Sequence, residues 1–225
     1  MKFKTLTLLG LVVATLNTAH AGIVVGGTRV IYDATKKEAA LNLTNPDNTP
    51  YLVQSWVNNS DDSNNKPPFI ITPPLFRLDG NQQNVLRIVQ AGTLPQDHES
   101  MFWLNVKSIP STAKAISANT LQIAVKTQIK LIYRPTALKG SSAEREAGKL
   151  TWKRDGSNIQ VTNPTNYYMN FNNIKLNGVD LKGVTYAAPH SSAEFPLPQG
   201  SSAGNLSFGL ISDYGSAGEQ HSATF

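Results

Sequence analysis

The run of residues 119–134 constrains this chain more than any other feature. It reads Asn-Thr-Leu-Gln-Ile-Ala-Val-Lys-Thr-Gln-Ile-Lys-Leu-Ile-Tyr-Arg, ends at Pro135 and contains no turn signal. Leu121, Ile123, Val125, Thr127, Ile129, Leu131 and Tyr133 share one parity, and Gln122, Lys126, Gln128, Lys130 and Arg134 share the other. Alternation at period two predicts a strand with an apolar face and a polar face. Ordinary strands run about 5–6 residues. At roughly 3.3 Å per residue this one would extend about 50 Å, and it needs a sheet to lie in.

The rest of the chain supplies one. Residues 23–25 and 28–32 are rich in β-formers and are split by Gly26-Gly27. Residues 39–43 alternate and end at the turn cluster Asn45-Pro46-Asp47-Asn48. Residues 51–57, 69–71, 85–89 and 101–106 are further strands, and the polar stretch 58–68 is a loop. Residues 135–147 change character and read mainly as a linker, with one helical turn available at 141–146. Candidate strands resume at 150–152, 159–161, 167–171, 174–176, 193–197 and 206–211, punctuated by Asn163-Pro164-Thr165-Asn166, Asn177-Gly178 and Pro198-Gln199-Gly200. Short strands at regular turn spacing predict an all-β fold of sandwiches. The expectation is one immunoglobulin-like domain before the linker and a smaller β-sandwich after it.

The N-terminus adds a destination. Lys2 and Lys4 precede an apolar stretch over residues 6–16, and Ala19-His20-Ala21 forms an A-x-A cleavage site. That is a secretory signal over residues 1–21, with cleavage expected after Ala21. No later stretch approaches the roughly 18–20 apolar residues of a membrane-spanning helix, so membrane insertion is not expected. The formal charge of the whole chain is only +5, and no run of five Lys/Arg occurs, which argues against nucleic acid. Cys is absent, so thiolate nucleophiles and thiolate metal sites are excluded. His98, His190 and His221 are too widely spaced in sequence to suggest a metal site. Gly200-Ser201-Ser202-Ala203-Gly204 matches G-x-S-x-G, with Asp213 and His221 following in hydrolase order. That motif requires a strand, a sharp turn and a helix in an α/β sheet, whereas here it follows Pro196 and Pro198 in a β-rich segment. An enzyme is therefore not expected.

Five ordered segments then carry a resemblance. They are Thr28-Arg29-Val30-Ile31-Tyr32, Ile71-Thr72-Pro73-Pro74-Leu75-Phe76-Arg77-Leu78, residues 94–110 with Phe102-Trp103-Leu104-Asn105-Val106, Ile129-Lys130-Leu131-Ile132-Tyr133-Arg134-Pro135, and Ser212-Asp213-Tyr214-Gly215, the last fitting the family's final strand. Asn163-Pro164-Thr165 and the residues from Asn173 onward fit as well. Together they resemble the periplasmic pilus-assembly chaperones of the chaperone–usher pathway. The likeness runs from Gly22 nearly to the C-terminus and departs at His98, where the family usually has Arg. The short connection from Pro110 to Asn119 and the lack of Cys resemble the branch with a short loop before the long strand.

The resemblance implies two immunoglobulin-like domains at an angle with a cleft between them, one over residues 22–140 carrying a donor strand and one over 141–225. It implies a periplasmic chaperone, without a cofactor, that binds fimbrial subunits by donor-strand complementation and delivers them to an outer-membrane usher. Leu121, Ile123 and Val125 match the donor residues, although periodicity alone would favour turning them toward the protein's own core. Ile129 either extends that row or turns inward. Arg29 and Lys130 match the basic pair that grips the subunit's C-terminal carboxylate. Lys130 has the opposite parity to Leu121, so either the strand twists or bulges between them or the two serve different sides. Glu99, Arg134 and Asp213 match a charge network between the domains. A cis bond is implied at Pro73 or Pro74. An apolar row on an open edge is hazardous for a free protein, which makes a self-capping homodimer an expectation. The competing class is an exported immunoglobulin-like module that is itself part of a fibre. Such a subunit would carry an N-terminal donor arm and usually a Cys pair, and this chain has neither.

Overall fold

The computed structural model describes residues 22–61, 63, 65–111, 121–200 and 204–224. The leader and its cleavage site, Asn119 and Thr120 of the long run, most of the connection before it, and Ser201 to Ala203 of the G-x-S-x-G match lie outside these residues.

Nine strands build the first domain: β1 (Val24–Val25), β2 (Arg29–Asp33), β3 (Ala39–Thr44), β4 (Tyr51–Asn59), β5 (Phe69–Thr72), β6 (Leu75–Leu78), β7 (Gln83–Gln90), β8 (Ser100–Pro110) and β9 (Val125–Arg134). They form two sheets, in the orders β1-β3-β7-β5 and β2-β9-β8-β4-β6. All pairings are antiparallel except β2 with β9. Period-two alternation sends Leu41, Leu43, Leu86 and Ile88 inward from one sheet to meet Val53, Leu104, Leu131 and Tyr133 from the other. The chain crosses between the sheets at Gly26-Gly27. A Cβ on Gly26 would stand 2.9 Å from the carbonyl oxygen of Asn42, so the crossing needs a residue without a side chain.

A compact connection follows, with 3-10 turns at Thr136–Leu138 and Ala147–Lys149 around the one-turn helix α1 (Ala143–Glu146). The Ser142 side chain caps that helix by accepting from the Arg145 N–H, a usual N-cap arrangement. The second domain contains β10 (Thr151–Asp155), β11 (Asn158–Asn163), β12 (Met169–Leu176), β13 (Val179–Asp180), β14 (Tyr186–Ala187), β15 (Ser191–Pro196), β16 (Leu206–Ile211) and β17 (Ala217–Ala223). One sheet runs β10-β11-β15. The other runs β13-β12-β16-β17, with β14 also paired to β12. Trp152, Phe171, Phe195 and Phe208 fill the space between them, with ring centroids 5.1 to 5.9 Å apart. The chain is all-β, two immunoglobulin-like sandwiches with a cleft between them.

The two domains share a device at their Asn-Pro turns. Asn45 is fully buried and donates its amide to the carbonyls of Thr49, Leu78 and Asp79. Asn163, equally buried, donates to those of Tyr167, Ala187 and Ala188. Each carboxamide satisfies backbone acceptors that the turn would otherwise leave unpaired in the interior.

Three expectations are corrected. The long strand begins at Val125; Leu121 to Ala124 have no regular structure. The ladder with β8 ends at Ser108 opposite Val125. Two further steps would set Ile123 opposite Pro110, which has no N–H to donate. Ser212 to Gly215 form a turn, and the final strand is the more polar β17, an edge strand whose exposed side chains hide the alternation. Ile129 turns inward, 7% exposed, and packs in the first core. The cis bond lies at Thr72-Pro73.

Candidate functional site

Strand β9 lives in two environments along one length. From Lys130 to Arg134 it is paired on both edges, with β2 on one side and β8 on the other. From Val125 to Ile129 only β8 pairs with it, and among the described residues no strand covers the other edge. The backbone N–H and C=O groups of that upper half are available to another strand. The apolar row changes role at the same place. Leu131 and Tyr133 are buried, whereas Val125, Ile123 and Leu121 are 48%, 65% and 84% exposed.

The opposite face of β9 carries cations. No register shift interrupts β2–β9 or β8–β9, so Lys130 and the apolar row serve different sides of one regular strand. Arg29 is the register partner of Lys130, and the two stand side by side where the covered half of β9 begins. The Arg29 Nη1 donates to the Ile211 carbonyl at 3.3 Å, and its Nε is buried without a partner. The Lys130 Nζ donates to Asn170 Oδ1 at 2.5 Å and lies 4.8 Å from the centre of the Tyr186 ring. Burial, reinforced by the neighbouring Arg29 charge, lowers the Lys130 ammonium to about 8. Burial also lowers Arg29, against the pull of Asp213. Two adjacent, incompletely satisfied cations are what an anionic oxygen pair would relieve.

A charge network beside this pair joins the domains. Arg134 Nε donates to Glu99 Oε1 at 2.7 Å, and its two terminal nitrogens donate to the two Asp213 oxygens at 2.6 and 2.8 Å. Glu99 Oε2 accepts from the Tyr168 N–H of the second domain at 2.8 Å. The Glu99 side chain is only 1% exposed. Burial pushes its carboxyl up, with Arg134 opposing. Burial would pull Arg134 down, but its bonds to Asp213 and Glu99 prevail and hold it above its usual value. The turn carrying Asp213 is pressed against the start of β2. Gly215 has φ +83°, and a Cβ there would collide with the Thr28 hydroxyl.

The structure thus brings Arg29 and Lys130 together, brings Glu99, Arg134 and Asp213 together, and sets Leu121, Ile123 and Val125 beyond the core edge, apart from Ile129. Asp213 is occupied by Arg134, and His221 contacts Glu144 at 2.8 Å, which leaves the hydrolase reading without its pair. His98 sits 2.7 Å from Asp97, edge-on to His190 of the other domain. Sequence reasoning missed Asn170 and Tyr186. No sequence signal marked the first: between Met169 and Phe171 a polar residue reads as ordinary strand alternation, and only the structure shows Asn170 to be 2% exposed.

Comparison with known proteins completes the description. Residues 22–139 match the model for the pili and flagellar-assembly chaperone PapD N-terminal domain, and residues 145–222 match that for the pili assembly chaperone PapD C-terminal domain. The chaperone protein LpfB of Salmonella typhimurium is 42% identical over 218 residues, covering 95% of this chain and 93% of that protein. The chaperone protein FimC of Escherichia coli K12 is 41% identical over 201 residues, covering 88% and 82%. Among solved structures, the Salmonella enterica SafB chaperone in complex with the SafA pilin has a TM-score of 0.85 at 36% identity, covering 93% of this chain and 99% of that one. The E. coli chaperone DraB has a TM-score of 0.81 at 40% identity, covering 93% and 98%.

Proposed function

The chain belongs to the PapD family of pili assembly chaperones, and from that premise we propose that it holds a fimbrial subunit on the upper half of β9 and anchors the subunit's C-terminus at Arg29 and Lys130. Pilus assembly is the family's work. Donor-strand complementation between chaperone and pilin is an established form of β-strand addition. The observation that carries the local assignment is the open edge of Val125–Ile129 running directly into the basic pair.

The mechanism follows from that juxtaposition. A subunit lacking its last strand has an open edge and an apolar groove. Its terminal carboxylate accepts charge-assisted hydrogen bonds from Lys130 and Arg29. With the terminus fixed, its backbone pairs along the free edge of β9, and register is set from the anchor upward. Leu121, Ile123 and Val125 then lie along the groove and leave water, at about 25 cal/mol per Å² of apolar area buried. Glu99, Arg134 and Asp213 hold the second domain at the angle that keeps the anchor formed. The work is binding and holding rather than bond-breaking. It takes place in the periplasm after export by the leader, with an outer-membrane usher as recipient. The short-loop branch of the family and a self-capping dimer of the free protein complete the reading.

Co-expression with a fimbrial subunit in the periplasm tests it. Soluble subunit should co-purify with the wild type and be lost with Arg29→Ala and Lys130→Ala, both still folded by circular dichroism. An undiminished complex in the double variant overturns the anchor assignment.

A further inference from the structure

The anchor pair belongs to the first domain, yet its orienting contacts come from the second. We propose that Asn170 is a positioning residue for the subunit's carboxylate, that Tyr186 assists it, and that the anchor is therefore a composite of both domains. The proposal rests on the reading of Arg29 and Lys130 given above and adds what aims them.

An ammonium has three donors. One Lys130 N–H is directed to Asn170 Oδ1 at 2.5 Å, and the charge sits over the Tyr186 ring at 4.8 Å. The lysine stem, which rotates freely in water, is thus held at its tip while donor capacity remains for an incoming oxygen. Asn170 can do this because its own orientation is decided. Its Nδ2 donates to the Tyr168 carbonyl at 3.3 Å, and a carbonyl cannot face the amide oxygen, so Oδ1 must point toward Lys130. Asn170 is 2% exposed on β12, where a polar side chain is costly unless satisfied. Both ends of its carboxamide are satisfied, one of them by the first domain's lysine. Arg29 is treated likewise, with the Ile211 carbonyl of the second domain taking Nη1 while Nε remains unpaired.

A neutral acceptor suits the task. An aspartate at this position would neutralise Lys130 and compete with the subunit's carboxylate. The amide orients the ammonium and leaves its charge unspent. The other charged groups bearing on the pair are Arg29 itself and Asp213, which acts on Arg29. Asp213 is hydrogen-bonded to Arg134, so it reaches Arg29 through its charge alone.

The test uses the full-length protein and two synthetic peptides of a fimbrial subunit's last strand, one with a free C-terminal carboxylate and one amidated. Binding is titrated by calorimetry from about pH 6 to 10. In the wild type, preference for the free carboxylate should fall on the alkaline side of the Lys130 value of about 8 to the part that Arg29, still charged, supplies. Asn170→Ala should cut that preference about tenfold and move its alkaline limb to lower pH, because the ammonium loses an acceptor. Asn170→Asp should move the limb to higher pH. Tyr186→Leu, at a partly exposed site, should act in the same direction as Asn170→Ala and serves if the buried substitutions impair folding. Unmoved limbs in the folded variants overturn the proposal. A wild type that binds both peptides equally overturns the anchor reading itself.

Discussion

The two halves of β9 have the same alternating pattern and opposite fates. In Lys130–Arg134 the apolar parity is core and the polar parity faces the second domain, with partners on both edges. In Val125–Ile129 one edge is open, and the apolar parity passes from the buried Ile129 to the exposed Val125 and on to Ile123 and Leu121. The difference teaches that an alternating strand announces its faces and says nothing of its edges. Beyond the start of β2, where Arg29 faces Lys130, the same chemistry turns from holding this protein together to being available for another.

The comparison can be broken hardest at Arg134. Arg134→Ala leaves Glu99, 1% exposed, as an uncompensated buried charge, and should cost about 3–5 kcal/mol in urea unfolding. Adding Glu99→Gln should recover part of the loss; a simple sum of the two single effects would mean that the pair is not coupled.

Within the apolar row, the contrast is between stability and binding. Leu131→Ala, at a fully buried site, should lose about 2–5 kcal/mol. Leu121→Ser and Ile123→Ser should unfold within about 0.5 kcal/mol of the wild type, yet yield little soluble subunit on co-expression. Equal loss of stability in both sets would place the exposed residues in the core's economy and remove the distinction.

A smaller effect separates the halves by pH. The folded state lowers Lys130 to about 8, below its ordinary value near 10.4. Between these values the unfolded chain binds the extra proton, so stability rises with pH across that window. On the proposed anchor, subunit binding draws on the ammonium and should fall in the same window, by at most about tenfold per pH unit. Stability and affinity should therefore move in opposite directions, and Lys130→Met should flatten both curves.

The smallest effect belongs to Lys126. It shares the Lys130 face but is exposed on the open half, and its charge lies 5.9 Å from the Trp56 ring. Lys126→Ala should change stability by less than about 0.5 kcal/mol and leave the alkaline limit of binding where it was. A shift of that limit would extend the anchor beyond Arg29 and Lys130.

Much of the fold was legible in the residues. Most strands were readable, among them β4, β8 and β11, because each alternates over apolar positions bounded by Asn, Pro or Gly. β17 was not, since Ala-Gly-Glu-Gln-His-Ser-Ala has too few apolar residues to show a face. β13 and β14 have two residues each and no period to read. At the site, Arg29, Lys130, Glu99, Arg134 and Asp213 were legible as residues through resemblance. Their mutual contacts were not, because those join positions as far apart as Arg134 and Asp213, separated by 79 residues.

What the sequence determined alone was therefore local: which segments are extended, which parity of each is apolar, and where turns must fall. Side-chain alternation and turn chemistry are properties of neighbouring residues. The tertiary structure decided where along β9 the core ends, which edge stays open, and that Asn170, Tyr186 and the Ile211 carbonyl lie against the cations of another domain. Those outcomes depend on which strands become neighbours, and a pattern of period two is the same on an edge as in the middle of a sheet.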